Sequence, residues 1–284
     1  MRFAKGHGTE NDFVILLDPD GSGTLTAGLA VRLCDRRTGI GGDGVLQAVR
    51  TAALEGARGM GAEPEWFMDY RNADGSLAEM CGNGIRVFAR YLAEHDLAEG
   101  PEFSVETRGG PRRVTLEPGG DITVDMGHVS VLGCGSAEVG GAAFEGLQIS
   151  VGNPHLACVV DAPLASFDLS RPPGLDPGQF PEGANVELVL LTGPGTLAMR
   201  VHERGSGETR SCGTGAVAAA AAAATATGTD DSAWTVTVPG GQLTVTLEAV
   251  GARLTGPAVI VAEGELNDAW LAAGSFRTQG ARLA

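Results

Sequence analysis

A four-residue pattern occurs twice, and each copy carries its surroundings with it. Cys81-Gly82-Asn83-Gly84 opens an apolar run from Ile85 to Leu92, and Cys212-Gly213-Thr214-Gly215 opens another from Ala216 to Ala224. The copies stand 131 residues apart. Downstream, the same offset sets Val105 on Val236, Gly109-Gly110 on Gly240-Gly241, and Val114-Thr115-Leu116-Glu117 on Val245-Thr246-Leu247-Glu248. Upstream, Asn72 and Glu203 each precede their cysteine by nine residues, and an offset of 142 pairs Asn11 with Asn153 and Asp43 with Asn185. A collinear set of matches marks a duplicated unit, so the chain is expected to fold as two homologous halves.

Each half reads as strand, helix, strand, turn, Cys-bearing helix and further strands. Leu25 to Arg37 has helical spacing, with Thr24 or Thr26 as N-cap. Short β-branched or aromatic runs such as Phe13–Leu17, Val45–Val49, Trp66–Tyr70, Trp234–Val238 and Leu243–Leu247 predict strands. The run after Cys81 is apolar on most of its circumference, which predicts a helix buried on several sides. The run after Cys212 is nearly pure alanine, so backbone can approach it closely all round. The expected class is α+β: two pseudo-symmetric homologous domains, each a mostly antiparallel or mixed β-sheet wrapped around a central helix, with the active site in the cleft between them. The expected halves are 1–118 and 119–265, with 266–284 returning to the first. Residues 51–64, rich in alanine and glycine, read as a surface loop.

Composition narrows the function. The 284 residues are 43% hydrophobic and 19% charged, as in a folded soluble protein, with room for two domains that each bury a core. A net charge of −15 without a basic cluster disfavours nucleic acid and anionic lipid as partners. No basic stretch followed by an apolar core opens the chain, so no secretory signal is expected, and no apolar segment has membrane-spanning length. Five widely spaced cysteines, an odd number, suggest a reducing, cytoplasmic compartment. They show no CxxC pair and no zinc spacing, so no metal is expected. Lys5 is the only lysine, which leaves a pyridoxal enzyme without a plausible Schiff-base residue.

A cysteine at a helix N-terminus meets the partial positive end of the helix and its free N–H groups, which lower a thiol pKa from about 8.5 toward neutrality. Two such thiols related by pseudo-symmetry would converge on one point from opposite sides. One thiolate could then take a proton from a tetrahedral carbon while the other thiol returns one to the opposite face, inverting the centre. If that carbon is α to a carboxylate, the bare N–H groups at Gly82-Asn83 and Gly213-Thr214 could grip the carboxylate and stabilise the charge that grows on it.

With these residues placed, the sequence resembles the diaminopimelate epimerases. The likeness rests on HGTENDF (7–13), NADGS (72–76), MCGNGIR (80–86), GNPH (152–155), ANV (184–186), ERGSGET (203–209) and SCGTGA (211–216), and spans nearly the whole chain. It implies inversion of one α-centre of LL-2,6-diaminopimelate to the meso form, a step toward lysine and peptidoglycan precursors. It implies no cofactor, and Cys81 and Cys212 as the acid–base pair. It further implies that Gly82, Asn83, Gly213 and Thr214 hold the reacting carboxylate. Asn11, Asn72, Asn153, Asn185, Glu203 and Arg204 would bind the substrate, chiefly its distal end, while His155 and Glu203 would tune the thiols. A homodimer is also implied. One position departs: many members carry a glutamine where Gly44 stands.

Two other readings compete. A proline or hydroxyproline racemase of the same fold would leave Glu203, Arg204 and four asparagines with nothing to bind. A thiol redox or amino-acid-binding protein would join the two cysteines in a disulfide; against redox as the purpose stand the duplicated bare N–H groups, since a disulfide needs no carboxylate cradle.

Overall fold

A computed structural model describes residues 1–23, 25–54, 65–229 and 232–275. The chain runs β1 (Arg2–Gly8), β2 (Asn11–Leu17), α1 (Ala27–Cys34), β3 (Gly44–Arg50), β4 (Trp66–Asn72), α2 (Gly82–Glu94), β5 (Glu102–Glu106), β6 (Arg112–Leu116) and β7 (Ile122–Gly127). It continues with β8 (Ser130–Val139), β9 (Ala142–Ser150), β10 (Pro154–Val159), β11 (Gly174–Leu175), β12 (Asn185–Gly193), β13 (Thr196–Glu203), β14 (Gly207–Thr209), α3 (Gly213–Thr227), β15 (Ala233–Val238), β16 (Gly241–Glu248) and β17 (Gly251–Gly256). β18 (Val259–Glu265) and α4 (Asp268–Ser275) close the described chain.

The duplication is visible in the strand pairing. β2 lies parallel to β3 and β4 parallel to β5, while β10 lies parallel to β12 and β13 parallel to β15. Antiparallel pairs join the remaining neighbours, and β7 pairs with β17 to make one continuous sheet across the two halves. The last strand crosses back. β8 and β9 pair within the second half, whereas β18 returns to the first and pairs with β1, Arg2 opposite Glu265.

Each sheet wraps a helix. α2 packs against β1, β2, β3, β7 and β18, and α3 against β9, β10, β12, β13 and β15–β17. Ile85, Val87, Phe88, Ala89 and Leu92 of α2 are fully buried, as are Ala216–Ala220 of α3. Alanine has the strongest helix propensity and the smallest side chain compatible with it, so α3 can be stable and still closely enclosed. Gly228, in the left-handed conformation at φ 61°, ends α3 by returning its N–H to the Ala224 carbonyl.

The helix expected over Leu25–Arg37 is shorter, Ala27–Cys34. Thr26 caps its start, its hydroxyl accepting from the Leu29 N–H at 3.1 Å. Asp35 ends it, because its carboxylate takes the N–H groups of Arg37 (2.8 Å) and Thr38 (2.6 Å) and builds a turn in their place. Thr24, the alternative cap, lies outside the described residues. Of the expected 51–64 loop, Thr51–Ala53 forms one 3₁₀ turn and 55–64 lie outside the described residues. α4 docks on α1: the Arg32 guanidinium lies 4.1 Å over the Trp270 ring, and the Trp270 indole donates to the Thr38 carbonyl at 3.0 Å. Residues 276–284 lie outside the described residues. Among those described, no helix is long and apolar enough to cross a membrane.

Candidate active site

α2 and α3 meet N-terminus to N-terminus. A Cβ added to Gly213 would stand 3.0 Å from Leu254 Cδ2, 3.1 Å from the Gly82 Cα and 3.4 Å from the Asn83 nitrogen, so a side chain there would press the two helix ends apart. Cys81 and Cys212 are the N-cap residues, both with extended backbone. Each sulfur accepts the N–H three residues on, Gly84 or Gly215, at 3.4 Å. The first-turn N–H groups of a helix have no intrahelical acceptor, and here two such sets face one cavity of about 570 Å³.

That cavity is lined by Cys81, Gly82, Asn83, Cys212, Gly213 and Thr214 at its base and by Asn11, Asn72, Asn153, Asn185, Glu203 and Arg204 around its wall. The walls are pinned differently on the two sides. Asn11 donates to Asp43 at 2.7 Å and turns its carbonyl toward the Asn83 amide (3.1 Å) and the Cys81 thiol (3.6 Å). Asn153 turns its carbonyl toward His155 Nε2 (3.0 Å) and its amide toward the Thr214 hydroxyl (3.4 Å), which lies 3.5 Å from the Cys212 sulfur. Asn185 accepts the Arg204 N–H at 2.9 Å, and Asn72 donates to Ser76 at 3.0 Å. Arg204 reaches the Glu182 carbonyl at 3.2 Å.

His155 does not line the cavity. It is fully buried behind Asn153, with Nδ1 2.7 Å from Glu187, itself fully buried. Glu203 is half-buried at the cavity wall, and its loss of water raises its pKa although the Thr209 hydroxyl donates to it at 2.5 Å.

The expectation that the helix ends bring the thiols toward neutrality is not met. Burial pushes Cys81 up to about 11; the Gly84 N–H opposes this and the charge of Glu203 adds to it. Burial likewise raises Cys212 well above the ordinary thiol range, and the charges of Glu203 and Glu187 raise it further. Loss of water outweighs one or two N–H dipoles.

Several residues that carry no role in the motif reading support the site, most of them inside the quoted motifs and Glu187 outside them. Arg86, fully buried, donates to Asn83 (2.9 Å), the Gly82 carbonyl (3.3 Å) and Thr9 (3.4 Å). Thr9 and Glu10 hold consecutive left-handed backbone conformations, φ 50° and 62°, in the turn between β1 and β2. The Thr9 hydroxyl meets Ser211 of the other half at 2.6 Å, and Asn83 donates to the Ser211 carbonyl and hydroxyl. Glu187 carries a legible signal, as the one charge in the apolar strand Val186–Leu191; so does Arg86, within the apolar run of α2. Lys5 is engaged by Asp12 at 2.5 Å and by the Gly41 carbonyl. All five cysteines are free thiols, and among the described residues no three His, Cys, Asp or Glu side chains gather as a metal site.

The chain matches known proteins in sequence and in fold. The sequence model of the family described as diaminopimelate epimerase matches residues 3–132 and 147–266. The diaminopimelate epimerase of Thermobifida fusca is 62% identical over 270 residues, covering 94% of this chain and 98% of that protein. That of Streptomyces coelicolor is 53% identical over 282 residues, covering 95% and 97%. Among solved structures, a PhzF-family phenazine biosynthesis protein of Bacillus anthracis superposes with a TM-score of 0.68 at 17% identity, over 94% of this chain and 99% of that one. A hydroxyproline epimerase of Agrobacterium vitis gives 0.66 at 16%, over 97% and 98%. At such identities the likeness concerns the fold.

Proposed function

Because the chain belongs to the diaminopimelate epimerase family and is an isomerase that interconverts LL-2,6-diaminopimelate and its meso form, we propose that Cys81 and Cys212 are its two acid–base groups. The observation that carries this is the pair of abutting helix N-termini, each capped by a cysteine that lines the same cavity. The reaction belongs to the synthesis of lysine and of peptidoglycan precursors and is independent of pyridoxal phosphate.

The substrate α-carboxylate lies at the N–H groups of Gly82-Asn83 and Gly213-Thr214. Two helix termini then stabilise the negative charge that moves onto it as the α-proton leaves. One cysteine, as thiolate, takes that proton and becomes a thiol. The other, as thiol, gives its proton to the opposite face and becomes the thiolate. The roles exchange in the reverse direction, and solvent resets the pair. Burial holds both thiols protonated, so the ammonium of the reacting end also serves the chemistry, because its positive charge favours the thiolate. Arg204, with Asn72 and Asn185, takes the distal carboxylate. Glu203 meets an ammonium and adjusts both thiols, and Asn11 and Asn153 read the polar groups between. His155 acts on Cys212 through Asn153 and Thr214.

The family also supports a homodimer in the cytoplasm, where a reducing environment keeps the facing thiols from joining. Sedimentation at the mass of a single chain would remove the dimer from this reading. The reaction itself is tested by incubating reduced protein with LL-diaminopimelate in deuterium oxide. Meso product carrying deuterium at one α-carbon is expected; neither exchange nor product would overturn the reading.

A further inference from the structure

One wall of the cavity belongs to a residue that neither the motifs nor the two-thiol mechanism uses. Tyr70 lines the cavity beside Asn11, Asn72 and Cys81, and only 8% of its surface is exposed. Its ring is fixed from two sides. Phe13 meets it edge-on, with centroids 5.9 Å apart and planes at 80°. Gly44, on the neighbouring strand β3, lies against it so closely that an added Cβ would stand 2.6 Å from Tyr70 Cε2 and 2.7 Å from the Arg71 carbonyl. Position 44 therefore cannot extend a side chain toward the cavity; the Tyr70 ring fills that space.

The ring accounts for packing but not for the hydroxyl. Among the described residues the Tyr70 hydroxyl makes no hydrogen bond, although its backbone carbonyl accepts from the Ala78 N–H at 3.2 Å. A phenylalanine would pack equally well against Phe13 and Gly44, and the unpaired O–H is not among the buried unsatisfied atoms, so it is accessible from the cavity that Tyr70 lines. Burial raises the pKa of the phenol well above 10, and the neighbouring charges that raise it further are headed by Cys81 and Glu203. The hydroxyl thus stays neutral, able to accept and to donate, in the cavity that Cys81 and Glu203 also line.

We propose that Tyr70 is a substrate-binding residue, its hydroxyl accepting a hydrogen bond from an ammonium group of the bound diamino diacid that Glu203 also faces. The assignment rests on the epimerase reading of the site. It makes the β3–β4 wall, with glycine at 44 and tyrosine at 70, one specificity element in which the ring supplies shape and the oxygen supplies recognition.

Tyr70→Phe removes the oxygen and keeps the ring. It is expected to raise KM for LL-diaminopimelate by about tenfold to a hundredfold, as for a hydrogen bond to a charged group, with kcat within about threefold and an unchanged thermal midpoint. Gly44→Ala, which pushes the ring, is expected to raise KM in the parent and to add little in the Tyr70→Phe background, since the contact is already gone. Should Gly44→Ala fail to fold, Tyr70→Phe alone decides. KM and kcat both within about twofold of the parent in Tyr70→Phe would overturn the role of Tyr70, while deuterium exchange by the parent keeps the epimerase reading intact. A parent that neither exchanges nor epimerises removes both.

Discussion

The two helix termini at the centre of this molecule have the same backbone geometry and different electrical surroundings. On the Cys81 side, Asn11 is held by Asp43, whose side chain is 40% exposed and shares Arg36 with Asp12. Burial works to raise Asp12, but Arg36 and Lys5 together hold it well below the usual carboxylate range. On the Cys212 side, Asn153 is held by His155, which Glu187 holds from behind, both of them sealed from solvent. The amides are also reversed, a carbonyl facing Cys81 and an amide group facing Thr214. Duplication preserved what proton transfer needs in space, one thiol per face. The charge behind each thiol diverged: a solvent-screened ion network on one side, a dry pair on the other.

The largest test of that comparison is removal of either sulfur. Cys81→Ala and Cys212→Ala are each expected to lower epimerisation by at least about a thousandfold, the upper range for one acid–base group, with folding intact by circular dichroism. Near-normal turnover in either one would dissolve the two-sided mechanism. Next comes the contact between the halves. Gly213→Ala places a methyl 3.1 Å from the Gly82 Cα, and the separation it forces should cost about a hundredfold in kcat/KM. A loss equal to that of an ordinary surface substitution would mean that the termini need not touch.

The unequal backing is tested by a matched pair of substitutions. Glu187→Gln acts in a sealed site and should lower kcat/KM by about tenfold or more, whereas Asp43→Asn, partly screened by solvent, should cost about threefold. Equal losses would make the two halves electrostatically equivalent. A further test concerns pH. Alkylation of Cys81 by iodoacetamide, followed by peptide mass spectrometry, should rise about tenfold per pH unit up to the region of about pH 10, with Cys212 slower throughout. The folded pKa of Cys81, about 11, lies above its unfolded value of 9.0, so its contribution to stability is complete below pH 9 and is lost as pH rises through 11. A thermal midpoint that holds level from pH 9 to 11 in the parent would contradict the raised value.

What could be read in the sequence followed from local rules. The Cys-Gly helix starts were legible because a small N-cap and glycines precede each apolar run, and the two-half α+β architecture because a fixed offset survives in strands and turns alike. The residues named from motifs line one cavity, His155 excepted, which sits a layer behind. Other features depend on neighbours far away in sequence. Helix α1 loses its last turn to the side chain of Asp35. The sign of the thiol shifts is not legible locally, because burial belongs to the folded whole, while the helix dipole can be read from the residues that open the helix. Glu187 announces itself as a charge in an apolar strand, but its partner His155 lies on the parallel strand alongside, and only the pairing of β10 with β12 brings them together.

The return of the final strand bears on how the molecule comes into being. β18 covers one side of α2, yet its register partner is the first strand of the chain, Arg2 opposite Glu265. During synthesis the helix that bears Cys81 is complete long before the strand that encloses it has been made. Until then its apolar surface depends chiefly on β1, β2, β3, β7 and α3. Contacts of such long sequence separation form late and slowly, so the N-terminal sheet should be the last part of the nascent protein to become resistant to proteolysis. Enclosure of the first half's central helix, though that helix is encoded early, waits for β18.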